Sequence, residues 1–108
     1  MANNDKTFAV ILSTAANDRI AEHFEFLARV SEEAADRLLD GLINDIQSLC
    51  KMPYRNPVYD RPYVQPLKYR YLISCKRYKI VYQIVDDTVF VDDIQDCRQN
   101  EENDLLKS

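Results

Sequence analysis

The chain holds one glycine (Gly41) and one histidine (His23) in 108 residues, and these two scarcities remove whole classes of chemistry. A single glycine cannot build the glycine-rich loop that cradles a nucleotide phosphate. A single histidine leaves no Cys–His or Ser–His pair within one motif and no metal-ligand spacing. His23 flanks the apolar face of a helix and reads as a structural residue. The three cysteines (Cys50, Cys75, Cys97) are odd in number, widely spaced and free of any CxxC pair. That argues against a disulfide framework or a zinc site, suits a reducing cytosol, and leaves three buried or half-buried thiols as the expectation. Apolar runs are short, none approaching the roughly 18 residues of a membrane span, and the polar start does not read as a signal peptide. Neither a metal nor a cofactor is expected. Asp86 and Asp87 read as turn formers, and in a regular strand Asp92 and Asp93 point to opposite faces.

What the chain does have is 46% hydrophobic and 30% charged residues, the balance of a globular chain and not of a disordered one. Its length suits one domain spanning 1–108, with a folded core over 7–98 and a polar, acidic tail over 99–108. The net charge of −4 argues against a nucleic-acid partner, but its distribution does not. Residues 51–79 hold eight basic side chains (Lys51, Arg55, Arg61, Lys68, Arg70, Lys76, Arg77, Lys79) against one acid, Asp60. That segment therefore carries +7 and the rest of the chain −11. Six of the seven tyrosines fall there too (Tyr54, Tyr59, Tyr63, Tyr69, Tyr71, Tyr78). Cations neutralise phosphates and aromatic rings stack on unpaired bases. Equally, tyrosines favour sheet positions in any fold.

The periodicity predicts a well-buried strand over 7–12, then a helix capped by Ser13 or Thr14 with Ala16, Ile20, Phe24 and Leu27 on one face. Ser31-Glu32-Glu33 opens a second helix whose stripe runs Ala35, Leu38, Leu39, Leu42, Ile43, Ile46, Leu49, and Pro53 ends it. A loop with four prolines follows, then strands over 67–74, 78–85 and 89–94 joined by short links. The fold class is α+β in the order β-α-α-β-β-β: an N-terminal strand and a helical hairpin packed on an antiparallel sheet. The stripe of the second helix faces that sheet. Phe26, Tyr59 and Tyr63 are the expected exposed anchors for a protein partner. Leu105 and Leu106 alone anchor the tail.

One catalytic route needs neither histidine nor metal. Attack of a ribose 2′-hydroxyl on its phosphate can be served by lysine, arginine and tyrosine if they converge. Arg70, Lys79 and Arg98 are the candidates, if they meet on one face of the sheet. Arg55, Arg61, Lys68, Tyr69, Lys76 and Arg77 are candidates for contact with a target or nucleic acid. The alternative is a set of solvated charges.

The run AANDRIAEHFEFLARVSEEAADRLLDGLINDIQSLCKMP followed by KYRYLISCKRYKIVYQIVDDTVFVDDIQDCR resembles the RelE/ParE superfamily of toxins from bacterial type II toxin–antitoxin (plasmid stabilization) systems. The likeness spans about residues 7–98; its most specific elements are SEEAADRLLD, the strand Tyr78-Lys79-Ile80-Val81-Tyr82, and Arg98. It implies a cytoplasmic toxin held inactive by an antitoxin that wraps its helices and sheet. RelE-like members cut mRNA in the ribosome, while ParE-like members poison DNA gyrase. By position, Arg70, Lys79 and Arg98 match basic residues of RelE-like nucleases. Those nucleases often end in a tyrosine or histidine that residues 100–108 lack, Leu105 standing near the tyrosine's place. The long helical hairpin looks more like the ParE branch. The resemblance thus implies a binding poison of an essential target, with a ribosome-dependent endoribonuclease and a non-toxic remnant as the other two readings.

Overall fold

The computed structural model describes residues 6–98 and 103–107. Its elements follow the expected order: β1 (Ala9–Leu12), α1 (Thr14–Ala28), α2 (Glu32–Ser48), β2 (Tyr69–Ser74), β3 (Tyr78–Val85) and β4 (Thr88–Asp96). Ser13 caps α1 by accepting the Ala16 N–H at 2.9 Å, and Ser31 caps α2 by accepting that of Ala34 at 3.2 Å. Each cap satisfies an orphan donor, worth about 1 kcal/mol. Glu32 and Glu33 add negative charge at the positive end of α2. After α2 the chain turns at Met52, which takes a left-handed conformation (φ 50°) before the short 3-10 turn Pro53–Arg55.

The sheet order is β1-β4-β3-β2. β2, β3 and β4 are antiparallel hairpin strands, and β1 joins them in parallel beside β4. The sheet is therefore mixed, with β1 at an edge. That position corrects the expectation of a well-buried first strand, since Ala9 and Ile11 face solvent and only Val10 and Leu12 pack inward. Strand limits move for local reasons. Leu67 has φ 65° and cannot begin a strand, while β4 continues to Asp96 because β3 pairs with it that far.

The helical hairpin covers one face of the sheet. Ile20, Leu38, Leu42, Ile46 and Leu49 pack on Tyr78, Ile80, Tyr82, Val89, Val91 and Ile94, each fully buried large apolar side chain contributing about 1.5–3 kcal/mol. Two expected stripe members sit at its margins: Leu39 is partly buried and Ile43 is 42% exposed. On α1 the buried set is Ala16, Ile20 and His23, with Phe24 half-exposed.

A shift of register between Val81 and Tyr82 leaves Asp92 as an extra residue in β4. Val89 and Val91 face the helices before it, Ile94 and Asp96 after it. Asp93 is thereby turned to the face opposite the helices, across from Val81, and Asp92 bonds Gln83 on that side. The expectation that Asp92 and Asp93 oppose each other is corrected by this bulge. Among the described residues no cluster of acids, histidines or cysteines is arranged to hold a metal, and no helix is long and apolar enough to cross a membrane. The cysteine expectation is corrected as well: Cys50 is half-buried, but Cys75 and Cys97 are exposed at the sheet's turns.

Candidate functional site: a groove of Phe26 and two arginines

β1 pairs with β4 only as far as Val91, so the outer edge of β4 beyond that point lacks a strand neighbour. α1 supplies the missing partners. His23 Nε2 lies 2.8 Å from the Ile94 carbonyl, and because a carbonyl only accepts, this nitrogen carries the proton and donates. Arg19 reaches the same edge, its Nε 3.5 Å from Asp93 Oδ1 and its Nη2 donating to the Asn103 carbonyl at 2.7 Å. The structural role expected of His23 is thus an edge cap; its ring also leans on Tyr78 at 4.9 Å between centroids.

Beside this cap a groove opens between α1 and the end of the β3–β4 hairpin, lined by Glu22, His23, Phe26, Arg77, Tyr78, Asp96 and Arg98. Asp96 is its buried pivot. Arg77 donates to Asp96 Oδ2 from Nε (3.2 Å) and Nη2 (2.9 Å). Arg98 donates from its backbone N–H to Oδ1 at 3.0 Å and from Nη2 to Oδ2 at 3.3 Å. One carboxylate therefore holds two guanidinium groups, and with Glu22 at the rim the charges lining the groove balance. Phe26 stands over the groove with 59% of its surface exposed. The buried Tyr78 ring forms the floor, and burial pushes its phenol above the ordinary value. Three residues expected in three different roles (Phe26 for a partner, Arg77 for a target, Arg98 for catalysis) meet here.

The expected convergence of Arg70, Lys79 and Arg98 does not occur. Arg70 is opposite Tyr82 and Lys79 opposite Ile73, an odd offset along β2 that places the two on opposite faces. Three residues of strand add roughly 10 Å between them. Arg70 lies on the helix side, donating to the Asn56 carbonyl at 2.6 Å with its guanidinium 5.6 Å from the Tyr54 ring. Lys79 lies on the far face, 4.8 Å and 5.6 Å from the Tyr71 and Tyr59 ring centres. Arg98 is held on the helix side by Asp96, which pairs with Tyr78.

The other basic candidates are dispersed. Arg61 stacks 4.5 Å from the Tyr59 ring and Lys68 lies 5.3 Å from that of Tyr69. Arg55 and Lys76 are exposed on separate turns, the latter at φ 62°. Much of the basic, tyrosine-rich pattern is therefore cation–π pairing within the segment. Tyr59 as an exposed anchor is corrected: it is 1% exposed, sealed under the loop that pairs residue 58 with Arg70. Tyr63 is half-buried, and both hydroxyls bond Asp104, a residue whose role the sequence pattern hid among the acids of the tail.

Comparison with known proteins agrees with this architecture. The family described as the ParE toxin of type II toxin–antitoxin system, parDE, matches residues 10–101. A solved structure described as the chromosomal ParDE TA system from P. aeruginosa superposes with a TM-score of 0.68 at 11% identity, covering 84% of this chain and 97% of the other. No curated protein matches the chain in sequence. With 92 consecutive residues under the family match, the chain belongs to the ParE toxin family of type II toxin–antitoxin systems.

Proposed function

We propose that this toxin inhibits growth in the bacterial cytosol by binding an essential target, DNA gyrase, and that a cognate antitoxin neutralises it. The observation that carries the reading is the separation of Arg70 and Lys79 onto opposite faces of the sheet. A nuclease needs its acid, base and phosphate-stabilising groups within hydrogen-bond reach of one phosphate. A binding poison needs only a surface, and the groove beneath Phe26 has the ingredients of one: an exposed ring, a buried aromatic floor and a guanidinium pair held in place by Asp96.

Purified toxin in a gyrase supercoiling reaction provides the test. Inhibition is expected, with Phe26→Ala and Arg77→Ala each weakening it about tenfold, the usual loss for an interface anchor. Undisturbed supercoiling at excess toxin eliminates gyrase as the target; codon-phased mRNA cuts in a translation reaction would establish cleavage instead. Induced expression with and without the neighbouring open reading frame tests the rest: arrest without it and growth with it are expected, and growth in both would mark a non-toxic remnant.

A further inference from the structure

The far face of the sheet, away from the helices, carries a feature that toxin action through the groove leaves unexplained. Val81 and Asp93 on that face are fully buried although the helical hairpin packs on the other, with Arg19 of α1 reaching round the sheet edge to Asp93. The proline loop and residues 103–107 provide the cover. Tyr59 and Tyr63 both donate to the same oxygen, Asp104 Oδ2, each at 2.5 Å. Gln95 Oε1 stands 3.2 Å from the Tyr59 hydroxyl, and the Leu106 N–H takes Asp104 Oδ1 at 2.9 Å. Burial works against the Asp104 carboxylate, but the two phenols, the Leu106 N–H and Gln95 together hold its pKa below the usual carboxylate range. Arg61 and Lys79 both lie close to the Tyr59 ring, and the buried Asp93 carboxylate stands on the other side of Gln95.

Tyr59 is a buried donor aimed at a carboxylate, and without one its hydroxyl keeps only the longer contact to Gln95. The segment that supplies the carboxylate is held through side chains, not by pairing with a strand. Among the described residues it shares no backbone–backbone hydrogen bond with the sheet. Its other polar ties are the Leu105 N–H to Asp93 Oδ2 at 3.1 Å and the Asn103 carbonyl to Arg19. Leu105 and Leu106 are only half-buried. Residues 103–108 contain one acid and one base, so net charge does not hold them in place. An occupant that makes no backbone ladder with the sheet can leave a receptor built of side chains without breaking a strand.

We infer that Tyr59, Tyr63 and Gln95 form a carboxylate-binding cleft which the chain fills with its own Asp104, and that an acidic peptide with adjoining leucines from a partner can displace it. The cleft is separate from the Phe26 groove, so the inference stands whichever target the toxin has. Displacing Asp104 would free residues 103–107 and loosen the proline loop that Tyr59 and Tyr63 anchor.

Chemical rescue of full-length Asp104→Ala tests this. Removing a carboxylate that accepts two phenol donors is expected to lower Tm by about 8 °C. Acetate at roughly 0.2 M should restore about half of that loss, because ligand bound only to the folded form stabilises it. Chloride at equal ionic strength should restore none, and the wild type, its cleft already filled, should gain nothing from acetate. A capped peptide of residues 103–107 should bind the variant at least tenfold more tightly than the wild type, and the same peptide with Asp104→Asn should not bind. An Asp104→Ser chain, which also vacates the cleft but keeps a polar side chain, is measured in parallel, so the test survives if Asp104→Ala fails to fold. Adding Tyr63→Phe to that chain should abolish its rescue. Equal acetate effects on wild type and variants, no rescue of a folded variant, or rescue by phosphate and not acetate would each overturn the carboxylate assignment.

Discussion

Replacing Gly41 with alanine is expected to bring none of the stability that intrinsic helix propensity predicts, and with the full steric overlap to lose some. Gly41 lies inside α2, where alanine normally gains about 1 kcal/mol over glycine. A Cβ built at this position, however, stands 2.6 Å from Cys75 Sγ, well inside the 3.4 Å at which ordinary contact begins. Helix and turn cannot easily part. Ser74 Oγ donates to Asp45 Oδ2 on α2 at 2.6 Å, and Cys75 and Lys76 occupy left-handed conformations (φ 54° and 62°) that fix the turn. Inserting a methyl group into such a contact costs roughly 1–3 kcal/mol. Turning the exposed Cys75 side chain off its rotamer would relieve the clash for about 0.5–1.5 kcal/mol. With the cheaper escape Gly41→Ala is close to neutral, and with the full overlap it loses about 2 kcal/mol.

The double-mutant cycle separates these contributions. In a Cys75→Ala background the obstructing sulfur is gone, and Gly41→Ala should gain its full propensity of about 1 kcal/mol. The coupling between the two positions is then about 1 kcal/mol if Cys75 turns aside and about 3 kcal/mol if the overlap is borne in full. It would be read from urea midpoints at constant m value, under reducing conditions because all three thiols are free. A Gly41→Ala midpoint that rises equally in both backgrounds would refute the close approach of α2 to the β2–β3 turn. It would also undermine the placement of Arg77 and Tyr78, which that turn delivers to the groove.

Three further expectations follow from the polar interior. His23→Leu strands the Ile94 carbonyl at an edge β1 does not reach and should cost about 1–3 kcal/mol in guanidinium unfolding, with His23→Gln losing less. Arg19→Leu leaves Asp93, a fully buried carboxylate that burial already pushes toward protonation, without its cation. The expected loss is about 3 kcal/mol, smaller in acid where Asp93 is neutral, and equal losses at neutral and acid pH would refute the pairing. Burial raises Tyr59, Tyr78 and Tyr82 above the ordinary 10.0, with the Asp104 hydrogen bond adding to Tyr59. Their contribution is whole below pH 10, where the unfolded chain also keeps its phenols protonated, and is lost as pH rises through the folded values. Phenolate absorbance and circular dichroism should therefore change together above pH 10 for these three side chains, and ionisation of all seven tyrosines before unfolding would count against their burial.

The amphipathic stripe of α2, the two serine caps and the three hairpin strands were legible because each is a local pattern with one physical cause. What was not legible depends on partners distant in sequence. Nothing near residues 7–12 says that this run is an edge strand parallel to β4. The apolar spacing around Ile20 places Phe24 on the buried face, but His23 is buried instead, because a carbonyl seventy-one residues away needs a donor. Asp104 is one acid in a tail of acids until the loop brings two phenols to it. The basic and tyrosine-rich composition of residues 51–79 was visible at once, yet its meaning was not. Composition cannot distinguish a ring offered to a ligand from a ring already covered by Lys79 or Arg61.

That distinction bears on how far this fold stands from phosphodiester cleavage. Bringing Arg70 and Lys79 to one face would require β2 to slip by one residue against β3, or a bulge between them. A slip reverses every side chain of β2: Leu72 would leave the core for solvent, and Ser74 would lose its bond to Asp45 while Tyr69 and Tyr71 turned toward the helices. The bulge the sheet does contain lies between β3 and β4, where it re-aims Asp93 and leaves the β2–β3 parity intact. Single substitutions at Arg70 or Lys79 therefore act on separate surfaces. Arg70→Ala disturbs the Asn56 and Tyr54 side of the loop, Lys79→Ala disturbs Tyr59 and Tyr71, and the two losses should add. In a growth-arrest assay, additive effects are expected for a toxin whose two cations serve separate surfaces. Strong non-additivity, with either substitution alone abolishing arrest as completely as both, is the behaviour of groups acting on one phosphate and would contradict the register argument.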